Sequence, residues 1–181
     1  MHSQTAGDWA AANQRYLTAA LQEVKARVAR HLEGVEGSDL AAAGPGEARR
    51  LAAQMSPPPA LDTLCRLFRL SPFEKQVIVL CAGADLDSAF IGLFAAAQGD
   101  PPRPYPTFSL ALAALDAPHW SALSPRGPLR HWRLVEVGPG TTLTSSPLKL
   151  DERILHYLTG QNYLDERLDQ IPQPFIQIIL A

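Results

Sequence analysis

The sequence has no excess of base. Its 16 Lys plus Arg stand against 18 Asp plus Glu, a formal net charge of −2, whereas a dedicated nucleic-acid domain is usually more basic. It has only two cysteines, Cys65 and Cys81, both in apolar helical contexts and without CxxC spacing. They read as two buried thiols in a reducing compartment. The N-terminus lacks the basic segment and apolar run of a signal peptide, and no apolar run approaches the ~18 residues of a membrane span. The expected location is the cytoplasm.

Catalytic signatures are equally scarce, and what remains are lookalikes. Gly138-Pro139-Gly140-Thr141-Thr142 has glycines and hydroxyls but lacks the phosphate-loop lysine and is not followed by a helix, so a hairpin turn is the better account. Ser146-Pro147-Leu148-Lys149 fits S-x-x-K, but lies on an expected strand with no S-D-N or K-T-G partner. His2, His31, His119, His131 and His156 form no H-E-x-x-H and no Cys/His cluster with zinc spacing. Asp85 and Asp87 are explained more cheaply by helix capping than by acid–base work. No catalytic, cofactor-binding or metal-binding residue is expected.

What the chain does have is apolar material: 46% hydrophobic residues and 19% charged over 181 residues, enough for one domain or a domain with an appendage. Ser71 to Gly99 is the most apolar part and reads as two helices. Ser71 as N-cap, Pro72 at the first helical position and Glu74 three residues after the cap make a capping box. Val77, Ile78, Leu80 and Cys81 follow, with Gly83 placed as a left-handed stop. Asp85 or Asp87 is positioned to cap the second helix, in which Phe90, Ile91, Phe94 and Ala97 share one side. Gly99 closes it, and Pro101 and Pro102 forbid its continuation. Helices this apolar require cover from the rest of the chain.

Upstream, Asp8 to about Glu33 is a long helix with Leu17, Leu21, Val24 and Val28 as its stripe. Tyr16, Ala20 and Leu32 widen it, and Glu23 and Arg27 form an i, i+4 pair. The stripe can pack on its own domain or zip to another helix; at about three heptads it is short for a free coiled coil. Gly34 to Gly46 reads as a loop, Glu47 to Gln54 as a short helix, and Pro57–Pro59 as a stiff break. The expected division is an N-terminal helical extension and linker over 1–56, a main domain over 57–171, and a tail over 172–181.

Within the main domain, Ala60 to Leu70 is an amphipathic helix with Leu61, Leu64, Cys65 and Phe68 inward. Asp100–Pro106 is a proline-rich loop. Thr107 caps a helix over Phe108–Leu115 that buries Phe108, Leu112 and Leu115. After Pro118, His119–Leu123 is a helical turn. The period then changes: Trp132–Val137 alternates as a half-buried strand, and Thr141–Thr144 with Leu148–Leu150 is its return, interrupted at Ser146-Pro147. Asp151 caps a last helix, Glu152–Leu158, ending at Gly160, with one more turn over Tyr163–Ile171. Three helices, a β-hairpin and a closing helix make a mainly α, winged-helix arrangement with an additional long N-terminal helix.

One basic cluster stands out, Arg126, Arg130, His131 and Arg133 around Trp132, just before or on the wing. Against DNA reading, the third helix of that arrangement, TFSLALAALD, has no Lys or Arg, and its exposed side offers Ser109, Ala113 and Asp116 where a groove reader needs donors. Arginine and aromatic content, favoured at interfaces, marks Arg103 and Tyr105 in the proline-rich loop, and Arg126, Arg130, Trp132 and Arg133, as partner-binding candidates.

LSPFEKQVIVLCAGADLD, AAAQGDPPRPYPTFSLALAAL, HWSALSPRGPLRHWRLVEVG and SPLKLDERILHYLTG resemble the N-terminal winged-helix region ahead of the ATPase module in a group of bacterial AAA+ ATPases. That group is often associated with extracellular contractile injection systems. The resemblance spans roughly Leu61 to Leu168. It implies a following AAA+ module that would supply Walker A and B motifs, ATP and magnesium binding, and ring formation. None of those motifs lies in these 181 residues; the apolar FIQIIL near Ala181 reads as a strand or as an aggregation-prone segment, and 172–181 as a tail or a linker towards such a module. The expected role is non-catalytic. The domain would contact a ring, a substrate or a particle component, with homo-oligomers formed through the first helix or the ring. DNA binding through the wing arginines is the alternative.

Overall fold

The computed structural model describes residues 6–34 and 46–161. Among them the chain forms eight α-helices, one 3-10 turn and two short strands. The helices are α1 (Ala6–Leu32), α2 (Glu47–Ala53), α3 (Ala60–Phe68), α4 (Pro72–Leu86), α5 (Ala89–Ala97), α6 (Phe108–Ala114), α7 (Pro128–His131) and α8 (Glu152–Leu158). The 3-10 turn is Trp120–Leu123. Strands β1 (Val135–Val137) and β2 (Leu148–Leu150) pair antiparallel, with Glu136 opposite Lys149. The turn expected over Tyr163–Ile171, the 172–181 tail and most of the Gly34–Gly46 loop lie outside the described residues.

Helix α4 is the centre. Ser71 Oγ accepts from the Glu74 amide at 3.1 Å, and Glu74 Oε2 accepts from the Ser71 amide at 2.8 Å, which completes the capping box. Phe73, Val77, Ile78, Leu80 and Ala82 are wholly buried. At roughly 25 cal/mol per Å² of apolar surface, such a helix is held by its cover rather than by its propensity.

Gly83 does not end this helix, which continues to Leu86. A Cβ at Gly83 would meet the Phe90 ring at 2.7 Å, so the glycine serves close packing of α5 on α4 rather than a left-handed stop. Asp85 is exposed on α4 and caps nothing. Ser88 occupies the N-cap of α5, and Asp87 Oδ1 accepts from the Ala89 amide at 2.9 Å. Phe90 and Phe94 are buried with their rings 5.5 Å apart, but Ile91 is exposed. Gly99, at φ +60, closes the helix as expected.

Helix α1 packs on its own chain. Its stripe of Tyr16, Leu17, Ala20, Leu21, Val24 and Val28 joins the same core as α4, whereas Leu32 is exposed. Buried Asn13 clamps two elements: its Oδ1 accepts from the Ala60 amide and its Nδ2 donates to the Leu158 carbonyl, both at 2.9 Å. The expected Glu23–Arg27 pair is replaced by longer-range bonds. Glu23 accepts from the Ala48 amide at the start of α2, and Arg27 meets Asp116 at 2.6 Å.

Helix α3 stops at Phe68 because Arg69 turns left-handed, at φ 53. Thr107 caps α6 as expected, bonding the Leu110 amide. The helix buries Phe108, Leu110 and Ala111 and leaves Leu112 half-buried. The hairpin is shorter than its sequence suggests. Trp132–Leu134 is not strand, since Arg133 at φ 51 breaks the extension. Thr141–Thr144 is turn rather than strand, because Ser146 bonds back to the Thr142 carbonyl through its amide (3.0 Å) and its hydroxyl (2.6 Å). Asp151 caps α8 and Gly160 closes it.

Candidate functional site

The candidate residues fall in two places. In the proline-rich loop, Gln98 at the end of α5 binds the backbone inward. Its Nε2 donates to the carbonyls of Arg103 and Tyr105 at 3.0 Å each, and its Oε1 accepts from Thr107 Oγ1 at 2.8 Å. Arg103 is paired with Asp100 at 2.9 Å. Arg103 and Tyr105 are both half-buried, so this loop is folded onto itself.

The other candidates lie around α7. Buried Leu129 roots the segment in the core, and Arg130 Nη1 donates to the Leu123 carbonyl at 2.9 Å, so part of its donor capacity holds the loop together. Arg126 and Arg133 are exposed. Trp132 is 40% exposed, with its ring 5.6 Å from Phe68 and 4.7 Å from His131. The Phe68 contact joins the end of α3 to this segment.

A second tie comes from His119. It lies edge-on to Phe73 and within 2.8 Å of both Ser71 Oγ and Ser121 Oγ. With the proton on Nδ1 it donates to Ser121 and accepts from Ser71. The hydroxyl–imidazole geometry is that of an activated serine, but Ser71 Oγ also accepts the Glu74 amide as helix cap. The arrangement fastens the 3-10 turn to the start of α4. The next residue, Trp120, is left 71% exposed.

Phe68 therefore adjoins the segment picked out by sequence, with the exposed Leu67 and Arg69 on either side of it in the chain, and the 3-10 turn that carries the exposed Trp120 lies against α7. Sequence reasoning placed Phe68 inward and passed over Trp120. The signal it missed was Trp120 itself, a tryptophan flanked by proline, histidine and serine in a turn too short to bury it.

The other winged surfaces are chemically quiet. Helix α6 exposes Ser109 and Ala113, and beside it Asp116 is taken by Arg27. The hairpin loop from Gly138 to Pro147 carries no charged residue. Ser146 is buried with its hydroxyl on the Thr142 carbonyl, and Lys149 is exposed opposite Glu136. A side chain at Gly140 would collide with Ser146, so the glycine there is steric. Burial pushes the thiol of Cys65 up to about 12 and that of Cys81 higher still, so both stay protonated near neutrality. Among the described residues, no group of three or more His, Cys, Asp or Glu is placed to hold a metal ion. Among them too, no helix is long and apolar enough to cross a membrane.

No curated protein and no solved structure matches the chain. A family profile does: the winged helix domain, variant, matches residues 2–171. With nearly the whole chain matched, and with helices and a two-stranded wing in the order that fold requires, the chain belongs to the variant winged helix domain family.

Proposed function

We propose that this chain is a non-catalytic accessory domain that presents a docking face to other proteins, in the setting of an AAA+ ATPase. The observation that carries the docking reading is a contrast of surfaces. The helix and hairpin that a DNA-binding winged helix would use expose no Lys or Arg between Phe108 and Ala114 or between Gly138 and Pro147. Tryptophan and arginine, the residue types that dominate protein hot spots, are instead exposed around α7 and the end of α3. The ATPase setting is supported by the resemblance of the stretches from Leu70 to Gly160, and it assigns ATP, magnesium and ring formation to a Walker-bearing module in cis. The work would be done inside the cell, where such rings act.

Retention on duplex DNA tests the reading. The chain is expected to pass unretained at low salt. Salt-sensitive retention that disappears in the Arg130→Ala plus Arg133→Ala double variant would transfer the proposal to the wing arginines and DNA. The chain alone is expected to hydrolyse no ATP, and turnover by it would contradict the accessory role.

A further inference from the structure

The face around Trp132 differs from the rest of the surface in how its charges are arranged. Five cations elsewhere have carboxylate partners: Lys25 with Asp87, Arg27 with Asp116, Lys75 with Asp62, Arg103 with Asp100 and Arg153 with Asp151. Arg15, Arg30, Arg49, Arg50, Arg66 and Lys149 form no ion pair among the described residues, so what sets this face apart is its lack of acid. No acidic residue occurs between Asp116 and Glu136, while Arg126, Arg130 and Arg133 do. Neither Arg133 nor Arg69 forms an ion pair among the described residues. In a chain of net charge −2, this is a local positive field laid beside exposed aromatic surface.

Two backbone features sharpen the point. Arg69 and Arg133 directly follow Phe68 and Trp132, whose rings touch, and both sit at positive φ, 53 and 51. Each would be relieved as glycine, since the left-handed region is unfavourable for a residue with a Cβ. The chain nevertheless has an arginine directly after each member of this tilted aromatic pair.

We infer that this face docks an acidic peptide segment bearing one large apolar side chain. The apolar group lies on the Phe68–Trp132 pair, and the carboxylates meet Arg69 and Arg133. Guanidinium and carboxylate fit each other in paired hydrogen bonds, and each arginine lacks such a partner among the described residues. Nucleic acid fits less well. Trp132 has Phe68 and His131 against its ring, which obstructs base stacking, and α6 and the hairpin loop bring no cation. This inference rests on the protein-docking reading and adds the partner's chemistry to it.

The test uses the whole chain and fluorescence anisotropy of three labelled probes: a Glu/Asp-rich peptide with one central Phe, the same peptide with Lys for every acid, and a single-stranded oligothymidine. The acidic peptide is expected to bind saturably and at least tenfold more tightly than the lysine peptide. Arg69→Gly plus Arg133→Gly should weaken it at least tenfold while raising the melting temperature, which separates lost recognition from lost folding. Trp132→Ala should weaken it to a similar degree. If the acidic peptide binds no better than the lysine peptide, or is indifferent to the arginine changes, the inference fails. Should the lysine peptide instead bind and lose affinity in Trp132→Ala, the docking reading survives without it. Tight binding of oligothymidine alone would remove both.

Discussion

The loop from Asp100 to Pro106 and the segment from Arg126 to Arg133 carry the same kinds of residue: proline, arginine and one large aromatic. The fold uses them in opposite ways. In the first, Arg103 finds Asp100 three residues upstream, and Gln98 gathers the carbonyls of Arg103 and Tyr105 onto one side chain. In the second, Leu129 anchors the backbone, but the segment holds no acid, and Arg126, Trp132 and Arg133 are all exposed. The lesson is that an arginine next to an aromatic marks a surface only when nothing local neutralises it. The availability of a carboxylate or an amide a few residues away decides between a closed loop and an open face.

The contrast can be broken from either side. The largest effect is expected from the anchor of the open segment: Leu129→Ala should cost about 3 kcal/mol in urea unfolding, since the side chain is wholly buried. A loss below about 1 kcal/mol would mean that the segment is not rooted in the core. Next, Gln98→Ala should cost about 2 kcal/mol and free the closed loop, because one amide satisfies several groups. Limited proteolysis should then cut at 100–106, and an unchanged digestion pattern would argue against the clamp. Trp132→Ala should cost only about 1 kcal/mol, the worth of one exposed aromatic pair with Phe68. Arg133→Gly should stabilise by roughly 0.5 kcal/mol through relief of its left-handed backbone. The smallest effect belongs to Arg103→Ala, whose partly exposed pair with Asp100 is worth at most about 0.5 kcal/mol.

The fold was legible where local rules were strong. The capping box at Ser71, the cap at Thr107, the left-handed closures at Gly99 and Gly160 and the stripe of α1 all follow from near neighbours in sequence. Gly83 misled because a glycine in an apolar helix reads as a stop, whereas its reason is the Phe90 ring of the next helix, a tertiary contact. The return strand at Thr141–Thr144 misled because threonines favour strands, whereas hydroxyl and backbone bonds inside the turn win here. Arg27 turned to Asp116, far along the chain, rather than to Glu23. The open face was half legible. Composition located Arg126 to Arg133, but the approach of Phe68 depends on a ring contact that no spacing rule encodes.

The central claim is that docking occurs on the surface joining the end of α3 to α7, and not on the helix and hairpin of a DNA reader. Amide chemical-shift mapping of the full chain, titrated separately with the acidic peptide and with duplex DNA, tests it most directly. The expected result is a set of peptide-induced shifts confined to 66–70 and 119–133, with none from the duplex. Shifts over Ser109–Asp116 and the 138–147 loop on adding duplex, with 119–133 silent to peptide, would contradict it.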